Sequence, residues 1–472
     1  MVFSSSTFLL LFLPLTLAAY YLIGVVITRS VAVKNFILLL ASLVFYAWGE
    51  PIYIILMLIS IAFNFTIGQD IEYARRTENE ARAKTAFVLS IVFNIGVLGF
   101  FKYFGFLVDN VNSLLGVNIR IPKLALPVGI SFYTFQIMSY VIDLYRGNIK
   151  AQKHIIPFAL YISLFPQLIA GPIVKYRDIA DQLKNRRESI YSFSRGMTRF
   201  IVGLSKKLLL ANTLGAVYTA IQSQGAANIS SLTSWIGIIC YTMQIYFDFS
   251  GYSDMAIGLG SMFGFKFIEN FNYPYIATSV TDFWRRWHIS LSTWFREYVY
   301  IPLGGNRCST PRVIFNLMTV WLLTGLWHGA AWNFVFWGVY YGILLIIEKY
   351  LLDGILKHIP TLVKYIVTMV IVMIGWVFFS APNLTEAFAY IHTMFGGGIA
   401  LSDSYARYIL SSNLILIITG AVCATPLYRL AVDRMNPTTV SRLRVAVYPL
   451  LLIACVIFMI SETYNPFLYF RF

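Results

Sequence analysis

The most restrictive feature of the sequence is its long stretches without charge. Between Arg312 and Glu348 the chain runs for 35 residues without a Lys, Arg, Asp or Glu. A bilayer core requires about 20 apolar residues per helix, so this stretch is long enough to cross a membrane and return. With 58% hydrophobic and 12% charged residues and a mean hydropathy of +0.70, the chain cannot cover a soluble globule of its size with polar groups. We therefore predict an integral membrane protein.

The apolar segments predict an all-α polytopic protein with about twelve transmembrane helices and both termini outside. Basic residues that follow the first segment and those of the loop near residue 80 place these ends inside, because cytoplasmic loops are enriched in Lys and Arg. The predicted spans are 7–28, 36–49, 52–68, 86–101, 124–142, 208–222, 232–247, 314–327, 332–347, 365–380, 409–427 and 446–460.

One apolar segment breaks the alternation of sides. Ile155 to Val174 has basic residues on both flanks, so both of its ends are predicted to be cytoplasmic. It also contains three prolines and a glycine, Pro157, Pro166, Gly171 and Pro172. Irregular backbone is tolerated at membrane depth only where protein or a cavity surrounds it. We therefore predict a re-entrant hairpin.

Charge and cysteine content exclude several other classes. The net charge of +15 comes from basic residues beside the ends of apolar segments, where they orient the chain and meet anionic lipid; nucleic acid is not an expected partner. The four cysteines are far apart, so neither a disulfide framework nor a metal site is expected. Without an internal repeat or a soluble domain, residues 1–472 are predicted to form a single membrane domain.

The stretch Thr281 to Gly305 is too charged to span a membrane. At 100° per residue, Arg285 and Arg286 lie on the polar side, and one third of the circumference is occupied by Phe283, Trp284, Trp287, Leu291, Trp294, Phe295 and Tyr298. This pattern is typical of an interfacial helix at the cytoplasmic headgroups. His288 falls at the border of the two faces and is either an ordinary boundary histidine or part of a site.

Two carboxylates follow the predicted span 232–247. Asp248 and Asp254 stand among apolar residues with four glycines nearby, at 251, 258, 260 and 264, which predicts unwound backbone at the membrane edge. Such carboxylates cap helices, hold arginines or bind a substrate cation, and the sequence leaves these roles open.

His328 lies in the middle of the charge-free stretch, within a Trp-His-Gly-Ala break between two predicted spans. A buried polar group without a partner costs about 2–7 kcal/mol, so this imidazole needs hydrogen bonds, water or a catalytic role. A hydrogen bond between helices is one interpretation. Trp327 and Asn333 are close in sequence, and no nucleophile or phosphate-binding motif accompanies the histidine. The other interpretation is a general base that removes a proton from a hydroxyl.

Five segments resemble the membrane-bound O-acyltransferases, in particular the bacterial alginate and peptidoglycan O-acetylase branch. They are FYTFQIMSYVIDLYRG, FPQLIAGPIVKYRDI, FDFSGYSDMAIGLG, FWRRWHISLSTWFREYVYIPLGG and WLLTGLWHGAAWNFVFWGVYYG, which occur in this order within residues 132–342. The resemblance implies a family core at about 125–350 and helices that fan outward around a central tunnel. It also implies that His328 is the catalytic histidine and His288 a second functional residue.

The resemblance further implies an acetyl transfer from a cytoplasmic thioester, acetyl-CoA or an acylated carrier, toward hydroxyls of an exported or cell-wall polysaccharide. No bound cofactor is expected, and an extracytoplasmic partner of the SGNH-esterase type would complete the transfer. Direct attack with His328 as base and a covalent acyl-enzyme both remain open. The expected positions for substrate or donor binding are Asp248, Asp254, Arg285, Arg286, Trp327 and Asn333.

The sequence is also compatible with other functions. Length and the ending SETYNPFLYFRF favour the O-acetylases over D-alanyl transfer to teichoic acid. Broken helices with buried Asp and His are also found in secondary transporters, although no inverted repeat is visible here. A non-enzymatic scaffold would leave His328 without a reason to lie at depth. The expected location is the bacterial inner membrane.

Overall fold

A computed structural model describes residues 1–122, 125–461 and 467–468, and every regular element there is helical. The principal helices are α1 Phe8–Ile27, α2 Val31–Gly49, α3 Tyr53–Arg76, α4 Glu80–Leu115, α5 Ile130–Tyr145, α6 Ile155–Ser163, α7 Phe165–Leu168, α8 Tyr176–Ile179, α9 Gln182–Asn185, α10 Ile190–Gln222, α11 Ser231–Met262, α12 Val280–Arg286, α13 Ile289–Phe295, α14 Thr310–His328, α15 Trp332–Leu352, α16 Asp353–Leu356, α17 Thr361–Ser380, α18 Leu384–His392, α19 Ser404–Cys423, α20 Leu427–Asp433 and α21 Pro437–Ser461.

The chain forms two compact units. The first comprises Met1–Phe200 and Ser253–Ile268, and the second comprises Ile201–Tyr252 and Glu269–Phe472. Nine helices within the described residues are long and apolar enough to cross a membrane, so the chain is a multi-pass membrane protein. The predicted number of about twelve spans is not confirmed. The predicted span 124–142 appears as α5, which begins at Ile130, and Leu124 lies outside the described residues.

The predicted re-entrant segment is a broken, buried pair of helices in the first unit. α6 has nine residues and is therefore about 14 Å long, half the thickness of a bilayer core. The chain turns at Leu164 and starts α7 with Pro166 in its first turn. The amide of Phe165 donates to Ser42 Oγ at 3.1 Å, and Tyr161 OH donates to Val174 O at 3.1 Å. Side chains of the protein thus form hydrogen bonds with the irregular backbone, and the predicted break in the helix is confirmed.

The return of this segment to one side remains a prediction that cysteine labelling can test. Lys150 and Lys184 flank the segment and are both exposed. In a Cys308→Ser/Cys423→Ser background, Lys150→Cys and Lys184→Cys are each expected to react with an impermeant thiol reagent only after the cytoplasmic face is opened. Labelling of the two positions from opposite faces would contradict the re-entrant assignment.

The glycine-rich stretch around Asp248 and Asp254 is helical, so the prediction of unwound backbone is wrong. α11 continues through it for 32 residues. A methyl group on Gly251 would collide with the carbonyl of Gly203, and one on Gly258 would collide with the carbonyl of Gly196. These glycines therefore allow α10 to approach α11 closely, which is the usual role of small residues between membrane helices.

The predicted interfacial helix 281–305 is interrupted at Trp287 and His288. α12 ends at Arg286, Trp287 is extended, and His288 has φ +44°, a left-handed conformation that is uncommon for residues other than glycine. The preceding loop takes the hydrogen bonds of the broken helix: Asn272 N donates to Arg286 O, and Ile289 N donates to Asn270 O. The apolar residues are buried as predicted, but they pack against aromatic rings of α14, α15 and α17.

Two helices lie on either side of His328, as predicted, and the second of them, α15, is long and apolar enough to cross a membrane. α14 ends at His328, and three residues, Gly329 to Ala331, lead into α15. Side chains on Gly325 or Gly338 would collide with the backbone of the opposite helix. The glycines therefore hold the two helices in close contact and fix the turn that carries the histidine.

Candidate active site

His328 is enclosed by aromatic rings in the second unit. It is 5% exposed, and its ring centroid lies 5.0 Å from Trp327, 5.1 Å from Trp337 and 5.1 Å from Phe379. All three rings are nearly perpendicular to the imidazole. Contacts from α14, α15 and α17 therefore define the orientation of the ring.

His288 is buried as deeply, at the break between α12 and α13. It is 1% exposed, and its ring lies 4.6 Å from Phe249 and 5.9 Å from Trp327. Its Nδ1 is 3.2 Å from Asn270 Oδ1. Burial lowers the pKa of His288 to about 3, because the charged imidazolium would lose its hydration there. His288 is therefore neutral at physiological pH.

Both histidines line one cavity of about 820 Å³, and the ring of Trp327 contacts both imidazoles. The buried wall of the cavity includes Trp284, Trp321 and Thr324, whereas Arg285, Arg296 and Lys349 are exposed. The cavity thus extends from two buried imidazoles to a basic surface, and its volume suits a small-molecule substrate.

The exposed part of the cavity is electrostatically positive. Glu348 is the single carboxylate among the lining residues of the described chain. It accepts hydrogen bonds from the amides of Val280 at 2.7 Å and Thr281 at 3.1 Å, so it caps the first turn of α12. Three cationic side chains remain to attract a negatively charged ligand.

Only some of the predicted binding residues belong to this cavity. Arg285 lines it; Trp327 is not among the lining residues, but its ring contacts both histidines. Arg286 is not among the lining residues; its Nε donates to Asp282 at 2.8 Å. Asn333 donates to the carbonyls of Phe378 and Ala381, at 3.3 and 3.0 Å, and so ties α15 to the end of α17.

The two carboxylates of α11 form ion pairs. In the second unit, Asp248 binds Lys207 Nζ at 2.5 Å and accepts the amide hydrogen of Leu468 at 2.8 Å. In the first unit, Asp254 binds Arg199 at 2.9 Å. Neither aspartate lines the cavity. Of the roles that the sequence left open, holding a basic side chain is the one observed.

Sequence reasoning missed several residues of the site. Asn270 contacts His288 from a loop 18 positions earlier in the chain, while Arg296, Thr324 and Lys349 line the cavity. The signal for Asn270 was weak, because it is one of two asparagines in the aromatic loop FIENFNYPY. Lys349 follows the charge-free stretch and resembled an ordinary helix-end charge.

The fold and this cavity are those of a multi-pass membrane enzyme with a buried histidine site. The family model described as MBOAT, the membrane-bound O-acyltransferase family, matches residues 148–386, which include both histidines and Asn270. The chain belongs to this family and is an O-acyltransferase.

Three relatives indicate the range of similarity. "Probable alginate O-acetylase AlgI" of Pseudomonas aeruginosa is 45% identical, with 84% of this chain and 75% of the relative covered. The protein of the same name from Azotobacter vinelandii is 41% identical, and both chains are covered completely. The peptidoglycan O-acetyltransferase of Helicobacter pylori is 34% identical over 92% of this chain and 88% of the relative.

Proposed function

We propose that this O-acyltransferase moves an acetyl group from a cytoplasmic thioester toward hydroxyls of an exported or cell-wall polysaccharide. The observation that carries the proposal is the shared cavity of His328 and His288, which combines a buried base with an exposed basic surface. The acetyl group and the polysaccharide are supported by the names of the alginate and peptidoglycan relatives.

In the proposed mechanism His328 is the general base. Its neutral imidazole accepts the proton of the acceptor hydroxyl while the oxygen attacks the thioester carbonyl carbon. The tetrahedral intermediate collapses, the carbon–sulfur bond breaks, and the imidazolium returns the proton to the leaving thiolate. One ester forms and one thioester is consumed, so no covalent enzyme intermediate is needed.

The donor would enter along the basic part of the cavity. Arg285, Arg296 and Lys349 are suited to the phosphates of acetyl-CoA, because charged hydrogen bonds to phosphate are strong. An acidic acyl carrier protein would be attracted by the same side chains. Acetyl-CoA is the donor we propose, and the carrier is the alternative. The protein itself holds no cofactor in this scheme.

We also propose a location and a partner for the protein. The protein would lie in the bacterial inner membrane, and an extracytoplasmic partner of the SGNH-esterase type would carry the acetyl group to the polysaccharide.

D-alanyl transfer is the second candidate for the acyl group. Relatives matched over more than nine tenths of the chain carry O-acetylation names, which favours acetyl. Membership of an enzyme family removes the support for a transporter.

Thiol release from acetyl-CoA tests the donor, with a soluble acceptor or the partner protein present. Arg285→Gln together with Arg296→Gln is expected to raise KM for acetyl-CoA about 3- to 10-fold, because each exposed charge contact contributes about 0.2–1 kcal/mol. The effect should shrink at high salt, which screens exposed charges over about 8 Å at physiological strength. Arg286→Gln is the matched control, since Arg286 pairs with Asp282 outside the cavity lining. An equal rise of KM in the control would contradict the proposed donor route.

A further inference from the structure

The side chain of Asn270 makes three hydrogen bonds through a single atom. Asn270 is fully buried, and its Oδ1 lies 3.1 Å from Ser290 N, 2.9 Å from Ser290 Oγ and 3.2 Å from His288 Nδ1. The main-chain carbonyl of Asn270 also accepts a hydrogen bond from Ile289 N at 3.0 Å. One residue therefore holds both the backbone break and the imidazole ring.

The orientation of this amide follows from its backbone partner. The oxygen and nitrogen of an asparagine side chain are usually assigned from their hydrogen-bond network. The main-chain N–H of Ser290 can only donate, so the Asn270 atom that faces it must be the oxygen. The reversed amide would place two donors against each other in a buried site.

This orientation determines which nitrogen of His288 carries the proton. Asn270 Oδ1 can only accept, so the Nδ1 that faces it must be the protonated nitrogen. A neutral imidazole has a single N–H, and burial keeps His288 neutral. Its Nε2 therefore carries the lone pair and acts as a hydrogen-bond acceptor. In this tautomer His288 cannot donate a hydrogen bond to the thioester carbonyl.

We propose that Asn270 is a positioning residue that fixes His288 as the Nδ1–H tautomer, so that His288 Nε2 accepts a hydrogen bond from an O–H or N–H group of the substrate. Two substrate groups have this chemistry: the hydroxyl of the acceptor and an amide N–H of the thioester arm. The proposal rests on the acyl transfer proposed above, and it assigns His288 a role distinct from that of His328.

The charges around His288 bear on the test, which includes pH dependence. On its own segment Arg285 and Arg296 line the cavity, as do His328 of α14 and Glu348 and Lys349 of α15. On α11, Asp248 adjoins the contacting residue Phe249 and is paired with Lys207. Asn270 itself is uncharged, so an added carboxylate at this position would introduce a new charge directly beside Nδ1.

Asn270→Asp and Asn270→Leu separate positioning from packing. The Asp variant keeps an oxygen acceptor for Ser290 and His288 but adds a negative charge, which raises the pKa of His288. An opposite charge at contact distance shifts the pKa of a side chain by about 1–3 units. The pH at which His288 becomes protonated, followed by nitrogen-15 NMR, should therefore move upward. The Leu variant lacks the acceptor and should lose about 10- to 100-fold in kcat at every pH, the size of loss seen when the hydrogen-bond partner of a metal-bound histidine is removed.

Asn316→Leu is the control for the loss of a buried asparagine. Asn316 is fully buried in the same unit, donates to Gly305 O at 3.2 Å and does not line the cavity. Its variant measures the loss of rate that general destabilisation causes. A rise in KM for the acceptor in Asn270→Leu would identify the acceptor hydroxyl as the partner of Nε2, whereas a rise in KM for acetyl-CoA would identify the thioester arm.

Nitrogen-15 NMR of labelled histidine provides a readout that does not depend on turnover. The chain has five histidines, and comparison with His288→Gln assigns the relevant signals. We expect a protonated Nδ1 and an unprotonated Nε2 in the parent protein. The opposite tautomer, or an unchanged protonation pH of His288 in Asn270→Asp, would overturn the proposal. Failure of the parent to turn over acetyl-CoA would count against the donor in the proposed function and leave the tautomer measurement valid.

Discussion

Replacing His328 with Gln is expected to lower acetyl transfer by about 10²–10⁴-fold, the usual contribution of a general base. Gln cannot take up the proton of the attacking hydroxyl, so the loss should appear in kcat. Because the interaction is made only in the transition state, KM for the donor should change little. The measurement is thiol release from acetyl-CoA at saturating acceptor, normalised to the amount of folded protein.

His328→Phe is the matched variant that separates chemistry from packing. The imidazole lies among the rings of Trp327, Trp337 and Phe379, and a phenyl ring keeps most of those contacts. The Phe variant should therefore retain the thermal stability of the parent while being as inactive as the Gln variant. If either variant keeps a rate within a few-fold of the parent, His328 has a structural role and the proposed mechanism is wrong.

The position of His328 was predictable because one imidazole in a charge-free stretch is costly and therefore informative. The same physical reasoning predicted a pair of spans around it, and the structure has the two helices α14 and α15 there. The residues that surround the two histidines were harder to predict. Asn270 reaches His288 only because α12 stops at Arg286 and the loop before it takes over the hydrogen bonds of the break. Apolar periodicity describes a continuous helix, so it cannot show that a loop replaces the hydrogen bonds of a broken one.

Glycine and charge were harder to interpret than apolar periodicity. The sequence suggested unwound backbone around Asp248 because glycine disfavours helices, yet Gly251 and Gly258 lie within α11 where α10 comes closest. The contact that stabilises a glycine in a membrane helix belongs to a neighbour, which a single-helix pattern does not include. Likewise, Arg285 and Arg286 looked equivalent on a helical projection, but only Arg285 lines the cavity.

The role of Asp248 was also not predictable from the pattern of one helix, and a large change in stability can test it. The sequence included it among the expected substrate or donor ligands, whereas the structure pairs it with Lys207 at 2.5 Å, with side chains 3% and 2% exposed. The ring of Phe467 lies 4.6 Å from Lys207 Nζ, and the amide of Leu468 donates to Asp248. The pair therefore connects α10, α11 and a segment near the C-terminus within the second unit.

Asp248→Asn is expected to destabilise the protein by about 3–5 kcal/mol, because removing one partner of a buried ion pair leaves the charge of Lys207 in a poorly solvated site. The double variant Lys207→Met/Asp248→Leu should recover most of that free energy, since it removes both charges and keeps the volume. Unfolding in detergent measures the free energy of each variant. Asp433→Asn is the control, because its partner Arg429 is 3.9 Å away and both side chains are more than half exposed. The control should lose less than about 1 kcal/mol. The folded fraction of Asp248→Asn should show the parent KM for acetyl-CoA. A raised KM with unchanged stability would mean instead that Asp248 binds the substrate, as the sequence had suggested.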